Sequence, residues 1–353
     1  MKKVVVIEGD DAAPEAMQPT VKILKQFELP IEWIHPSMDD AGNPKQLSPE
    51  IKNAIDTSDT TLFGSTSGGQ SRWAIYYLRW GKQTYANFRP CKYMPGIQSC
   101  LKDPNGIDLV IVRENLEDMY VGCEGDLQTL APLELTSRTS RGLVADLAPG
   151  KFAIKAITEA GCKRVINAAF NLARERKQAG KPGKLCCATK HNMLPQSDGL
   201  FREIGFELAK EHADIEFESL IVDDFAHRLI AHPQRFDVVV TPNLYGDILS
   251  DAASGLLGGL GVASSGCYGD DYAYFESVHG TAPDIAGQNC INPTATMLSA
   301  CMMLRYLEFT EAADQFEQAI WQVYAEGSQL TKDQGGRAST TEFSQAVESK
   351  LFN

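Results

Sequence analysis

Along this chain, short runs of β-branched and aliphatic residues alternate with longer stretches in which apolar residues return every three or four positions. The short runs cover residues 4–7, 60–63, 109–112, 185–189 and 238–241, and none of them interleaves charged residues. Strands that read this way are covered on both faces, as in a parallel sheet with helices packed on either side. The periodic stretches predict helices over 13–27, 157–178, 200–210, 224–232, 293–309 and 312–326. Together they predict an α/β fold built on a mostly parallel sheet. No pattern repeats at a period of roughly twenty to fifty residues, which excludes solenoids and propellers.

Glycine, serine and proline gather at 64–71, 104–106, 180–183 and 264–269, which predicts loops there, the first and last being candidates for hinges or cofactor loops. The glycine cluster over 255–261 follows a helix rather than a strand, so it lacks the context of a dinucleotide fingerprint. A more informative segment follows the apolar run 236–240. There Asp247 and Asp251 stand four residues apart on one helix face. Like charges at that spacing repel unless a cation sits between them, and a divalent ion suits two carboxylates. Pro242, Asn243 and Gly246 surround the helix start. The carboxyl end of a strand is where open α/β sheets hold ligands.

With 353 residues, the chain can bury one large core or two ordinary ones. The formal charge of −13 argues against nucleic acid or an anionic membrane as partner, and an anionic substrate would need a locally basic pocket. Nine cysteines lie without metal-type spacing, and the adjacent pair Cys186 and Cys187 falls inside a predicted strand. That usage fits a reducing compartment. The first residues turn polar after a short apolar run, with neither a secretory core nor a bilayer-spanning length, so a cytoplasmic protein is expected.

Four segments, in order, resemble the β-decarboxylating dehydrogenases, the family of isocitrate, 3-isopropylmalate and homoisocitrate dehydrogenases. They are residues 78–90 with Arg79 and Arg89, 112–120 with Arg113 and Tyr120, 243–251 with Asp247 and Asp251, and 279–287 with His279 and Asp284. The resemblance covers nearly the whole chain. It implies an isopropylmalate dehydrogenase-like two-domain α/β fold, not a Rossmann fold. A large discontinuous cofactor-binding domain would comprise 1–94 plus 257–353. A smaller domain, 95–256, would carry metal and substrate groups and the dimer interface. The active site would lie in the interdomain cleft, which closes during turnover.

The implied reaction is oxidation of the hydroxyl of a 3-substituted (2R)-malate by NAD, with Mg²⁺ or Mn²⁺, followed by loss of CO₂. Under the resemblance Arg79, Arg89 and Arg113 bind substrate carboxylates, for which planar guanidinium forks are suited. Asp247 and Asp251 match the metal-binding pair, and Asp223 matches a third carboxylate supplied by the other subunit of a homodimer. Asp224 competes with Asp223 for that role. Lys190 matches a general base that also comes from the partner, its proton affinity lowered by a neighbouring cation. Tyr120 matches the acid that protonates the enolate carbon, and His191 is expected to be structural. Glu276, His279, Gly280, Ala282, Asp284, Ile285 and Asn292 match the cofactor site. An acidic Asp284 followed by Ile285 implies NAD rather than NADP, because a carboxylate accepts both ribose hydroxyl protons and repels a 2′-phosphate.

Two departures stand out. Family members open on a loop with three glycines, whereas this chain has Gly9, Asp11 and Ala13 at those positions. Isocitrate enzymes carry serine and asparagine six and four residues before the first arginine, and here those positions are Trp73 and Ile75. A substrate carboxylate buried there would lose hydrogen bonds at a cost on the order of several kcal/mol. Ile75 is therefore expected to line a pocket for a less polar substituent, although Thr281 and the pair Glu117 and Asp118 look more isocitrate-like. Alternatives are a D-malate or tartrate dehydrogenase, and a non-catalytic regulatory subunit of a hetero-oligomeric isocitrate dehydrogenase. A hydrolase using only the aspartates would leave the arginines without a role.

Overall fold

The computed structural model describes residues 1–39 and 45–352; residues 40–44 and 353, which belong to the first expected domain, lie outside the described residues. The first third of the chain forms β1 (Lys2–Ile7), α1 (Ala13–Gln26), β2 (Ile31–Ile34), α2 (Pro49–Asp56), β3 (Thr60–Phe63), α3 (Gly69–Tyr76), β4 (Ala86–Lys92) and β5 (Asp108–Glu114). A small hairpin-like pair, β6 (Glu124–Asp126) and β7 (Lys151–Ala153), precedes α4 (Glu159–Gln178). Next come β8 (Lys184–Thr189), α5 (Ser197–Glu211), β9 (Glu216–Ile221), α6 (Val222–Ala231), β10 (Val238–Thr241) and α7 (Asn243–Leu256). The chain closes with β11 (Ser264–Tyr268), β12 (Ala273–Ser277), α8 (Thr294–Tyr306), α9 (Thr310–Glu326) and α10 (Thr340–Phe352).

Ten strands make one sheet in the order β2-β1-β3-β12-β11-β4-β5-β10-β8-β9. Pairings on both flanks are parallel, as the apolar runs predicted. The three central pairings, β12 with β11, β11 with β4 and β4 with β5, are antiparallel. An odd number of reversals makes the two parallel flanks run in opposite directions. Strands from 1–94 and 257–353 occupy one side of the β4–β5 seam, and strands from 95–256 occupy the other.

Burial explains the continuous apolar strands. Val4 and Val6 face one core cluster while Val5 and Ile7 face another on the opposite side of the sheet. Val238 and Val240 likewise separate from Val239. Each such valine contributes roughly 1.5–3 kcal/mol by leaving water, and both faces require it. The same alternation separates Cys187 from its neighbour Cys186, so they point to opposite cores, and both are free.

One expected loop is a strand. Residues 264–268 form β11 in the middle of the sheet, where Ser265 and Gly266 are buried. Their small size reflects crowding: a Cβ on Gly266 would meet the Tyr268 ring at 2.9 Å and Met302 at 3.0 Å. Similarly, the expected loop over 64–71 ends early, because α3 begins at Gly69. The glycines after α7 do follow a helix, with Gly258 and Gly259 at positive φ.

Candidate active site

Strand register gathers the charged groups before any long side chain is considered. Arg113 at the end of β5 lies opposite Asn87 on β4, Asn87 opposite Cys267 on β11, and Cys267 opposite Tyr274 on β12. One row thus crosses the centre of the sheet. Arg89 and Glu276 stand two residues along β4 and β12, on the same face. Thr241, the last residue of β10, pairs with Arg113, and α7 starts two residues later, which sets Asp247 over the row. Gly246 permits this approach, since a Cβ there would stand 2.7 Å from the Arg113 side chain.

Arg113 is almost fully buried and donates from Nε and Nη2 to Asn243 Oδ1 at 2.9 and 2.7 Å, and from Nη1 to Asp247 Oδ1. Arg89 Nη1 reaches Asp247 Oδ1 at 3.3 Å, Asp251 Oδ1 at 3.2 Å and Ser250 Oγ at 2.7 Å. Tyr120, on a short 3₁₀ turn over Met119–Val121, donates its hydroxyl to Asp247 Oδ2 at 2.6 Å. The positive charge that the aspartate spacing called for is therefore present within the chain, as the Arg89 guanidinium. Burial raises the Asp247 carboxyl, but Arg113, the Tyr120 hydroxyl and Arg89 outweigh it and hold the group below its ordinary range. Asp251 goes the other way: burial, with help from Asp247, outweighs Arg89. Burial and the neighbouring Arg89 lower Arg113 to about 10, while burial and Asp247 raise the Tyr120 phenol.

Arg79 sits in a π-helical turn, Tyr77–Gly81, that continues α3. Such turns insert an extra residue into a helix and re-aim the side chains they carry. Its Nε donates to the Tyr274 hydroxyl at 3.0 Å and Nη2 to Glu276 Oε1 at 3.3 Å. Glu276 is thereby buried beneath Arg79. The α3 residue Ile75 packs into the core with Val5, Ile7 and Leu78, which differs from the expected pocket position. Trp73, Tyr76 and Trp80 instead stack edge-to-face at 5.8 and 5.5 Å, and Trp80 Nε1 donates to Leu116 O at 3.1 Å.

Lys190 and Asp223 form a second corner. Thr189 and Ile221 pair across β8 and β9, so the residues just beyond them meet, and Lys190 Nζ lies 2.5 Å from Asp223 Oδ1. The Lys190 ammonium holds the Asp223 carboxyl below its ordinary range. Both side chains are solvent-facing, at 30% and 67% exposure. Asp224 binds Arg228 one turn along α6 at 2.9 Å, an ordinary helical ion pair. His191 shares a hydrogen bond with Thr189 Oγ1 at 2.9 Å. Among the described residues no third histidine, cysteine or acid joins Asp247 and Asp251 in a metal-sized cluster.

The segment 279–287 lines the first loop of the chain. The His279 carbonyl accepts from Ser65 Oγ at 2.6 Å, and its Nδ1 lies 2.9 Å from Gly280 O. Burial lowers the imidazole pKa, and its buried Nε2 has no hydrogen-bond partner among the described residues. Gly280 is exposed; Ala282 takes a left-handed conformation before the turn Pro283–Ile285; Asp284 is exposed there and Ile285 packs near Ala12 and Ala16. Asn292 is committed elsewhere: its amide donates to the Tyr324 hydroxyl at 3.1 Å and Asp333 at 2.9 Å, and its oxygen accepts from Thr294 N. In the opening loop, Gly9 keeps positive φ and packs so closely that a Cβ would stand 2.5 Å from Ser65 O. Asp11 supplies a second left-handed residue at φ 54°, and Ala13 begins α1. The missing glycines thus leave an ordered loop, tied by Glu15 to the backbone N–H groups of Gly287 and Asn289.

The match to the isocitrate/isopropylmalate dehydrogenase family model extends over residues 3–347. The chain belongs to that family. Membership places it among the dehydrogenases. A 3-isopropylmalate/3-methylmalate dehydrogenase of Methanocaldococcus jannaschii is 43% identical, with 99% of each chain covered. An isocitrate dehydrogenase [NADP] of Thermus thermophilus is 37% identical over 98% of this chain and 67% of its own. Isocitrate dehydrogenase from Methylococcus capsulatus shares the fold of this family member, with a TM-score of 0.85, 33% identity and full coverage of both chains. No described helix is long and apolar enough to cross a membrane.

Sequence reasoning passed over Asn243 and Ser250, which orient Arg113 and Arg89. Asn243 carried a signal, standing directly between Pro242 and the aspartates; Ser250 carried none beyond its place on the same helix.

Proposed function

We propose that this chain oxidises and decarboxylates a 3-substituted (2R)-malate, using NAD and a divalent cation, in a homodimer whose active sites each draw on both subunits. The observation that carries the reading is Asp247, on which two guanidiniums and one phenol converge. The residues fit a cation: Asp247 Oδ1 and Asp251 Oδ1 already flank one positively charged nitrogen at 3.3 and 3.2 Å. They also fit a nucleotide, since among the described residues the buried Nε2 of His279 lacks a hydrogen-bond partner and Asp284 is open to solvent.

When bound, the cation would polarise the substrate hydroxyl and the later enolate, and NAD would accept hydride. The chain's own residues do the rest. Arg79, Arg89 and Arg113 orient carboxylates; Lys190 of a partner takes the hydroxyl proton; Tyr120 returns a proton to carbon after CO₂ leaves. The three stacked aromatics beside Arg79 favour an apolar substituent over a third carboxylate. We assign metal ligation to Asp247, Asp251 and a partner's Asp223, and cofactor contacts to His279, Gly280, Ala282, Asp284 and Ile285. The two sides of the β4–β5 seam would act as domains that close over the substrate.

A second copy is supported by unusual surface. Large apolar side chains are exposed at Leu133 and Leu147 near the β6–β7 pair, at Met193 beside Lys190, at Ile230 on α6 and at Ile248 on α7. Met193 and Ile230 lie on the elements that carry the Lys190–Asp223 corner and Ile248 stands next to Asp247, so a partner covering this surface would bring the two corners of different copies together.

The test is a spectrophotometric panel of 3-isopropylmalate, homoisocitrate, isocitrate, D-malate and tartrate with Mn²⁺ and either cofactor. Reduction of NAD with 3-isopropylmalate as the best substrate is expected. Ligand binding with no cofactor reduction by any of the five would favour a regulatory subunit and overturn the proposal.

A further inference from the structure

A buried ion cluster ties the Tyr120 turn to the Lys190 turn. Lys155 Nζ lies 3.1 Å from Asp118 Oδ1 and 2.6 Å from Asp198 Oδ1, with the Tyr245 ring centroid 4.6 Å away. Asp118 and Asp198 are nearly inaccessible to water, and among the described residues neither Oδ1 has a partner besides that ammonium. Their other oxygens are each committed. Asp118 Oδ2 accepts from Leu244 N at 2.8 Å, at the first turn of α7, and Asp198 Oδ2 accepts from Lys190 N at 2.7 Å. Asp118 also holds a left-handed backbone, φ 68°, two residues before Tyr120. Its strand-like bridge to Ala156 fixes the residue adjoining Lys155.

We infer that Lys155 is a positioning residue that sets the Tyr120 turn and α7 on one side and the Lys190 backbone on the other. This rests on the shared-site reading above, in which Tyr120 works in its own subunit's site and Lys190 in the partner's. One ammonium then supports one group in each of the two active sites of the dimer. Removing it would leave two buried carboxylate oxygens facing each other with no cation, which forces one or both loops to move. The bond from Trp80 to Leu116 O lies two residues before Asp118, upstream of the turn that Lys155 holds, so the defect is expected mainly on turnover rather than on ligand affinity.

The experiment uses full-length heterodimers, co-expressed with two tags and purified through both. A dimer pairing a Y120F chain with a K190M chain has one site with both defects and one intact, so about half of wild-type activity is expected. K155M is then added to either chain in turn. Placed on the Y120F chain it disturbs the Lys190 of the surviving site, and placed on the K190M chain that site's Tyr120 turn and the start of its α7. Each placement is expected to lower kcat at least tenfold with KM for substrate and NAD within about twofold, and K155R is expected to restore most of the loss. Loss from one placement alone would overturn the two-sided role. Unchanged kcat with a lowered melting temperature would reduce Lys155 to a fold-stabilising residue. An inactive parent heterodimer would overturn the shared-site reading itself, and the inference with it.

Discussion

Asp247 and Asp223 both belong to the proposed metal site, yet their surroundings are opposite. Asp247 is half-buried and satisfied within its own chain by Arg113, Arg89 and Tyr120. Asp223 is largely exposed, and the neighbour the structure gives its carboxylate is Lys190. The first corner is assembled by sheet register and one helix. The second is presented at the surface on two adjacent strand ends. Under the proposed function, the contrast teaches that a site can be split so that one half folds with the chain while the other half would be completed by association. The halves should then fail differently when altered.

The sharpest break is at Asp247. The D247N variant should lose on the order of a thousandfold in kcat/KM and most of its Mn²⁺ affinity, measured by steady-state kinetics and by titration of the metal. A fall of less than tenfold would remove Asp247 from the chemistry. Lys190 comes next: K190M should lower kcat by about a hundredfold while leaving substrate affinity nearly unchanged, the pattern of a lost general base. If KM rises instead, Lys190 binds substrate and the exposed corner has another role.

Smaller effects sharpen the comparison. NAD should be preferred over NADP by about tenfold, or 1.4 kcal/mol, and D284N should narrow that gap. Equal use of both cofactors by the native chain would show that Asp284 does not face the ribose. The smallest effect concerns the buried side. Burial pushes Glu114, next to Arg113, up to about 7 from an ordinary 4.5. The folded chain then holds a proton that the unfolded chain releases between those values, so stability falls as pH rises through that window, by on the order of 3 kcal/mol. E114Q should therefore raise the melting temperature at pH 8 relative to the native chain and change it little at pH 5. Equal shifts at both pH values would argue against an ionising buried carboxyl.

Strands β1, β3, β5, β8 and β10 and most of the longer helices were legible in sequence, the strands from their buried apolar runs and the helices from a 3.6-residue period, whereas the edge strands β2 and β9 are only partly buried and gave no such run. The central strands β4, β11 and β12 were not legible either. β11 reads as a loop because crowding against α8 and β4 demands serine and glycine there, and β4 mixes Arg89 and Pro90 into a strand that no simple pattern announces. At the site, the pairing of Asp247 with Asp251 followed from spacing, but the occupant of the gap between them did not. Arg89 lies 158 positions from Asp247, and only strand register brings them together. Lys155 and Asp198 were invisible for the same reason, and Asp118 was noticed only for its place beside Glu117: each is an ordinary charge in sequence, made special by burial.

The antiparallel seam has a consequence for how the protein comes into being. The charged row needs β5 and β4 from the first third of the chain and β11 and β12 from its last third. A nascent chain leaving the ribosome would carry Arg89 and Arg113 unneutralised until residue 247 had emerged, and Arg79 until residue 276 had. Closing such long loops is slow, so competence should appear late in synthesis and in a single step.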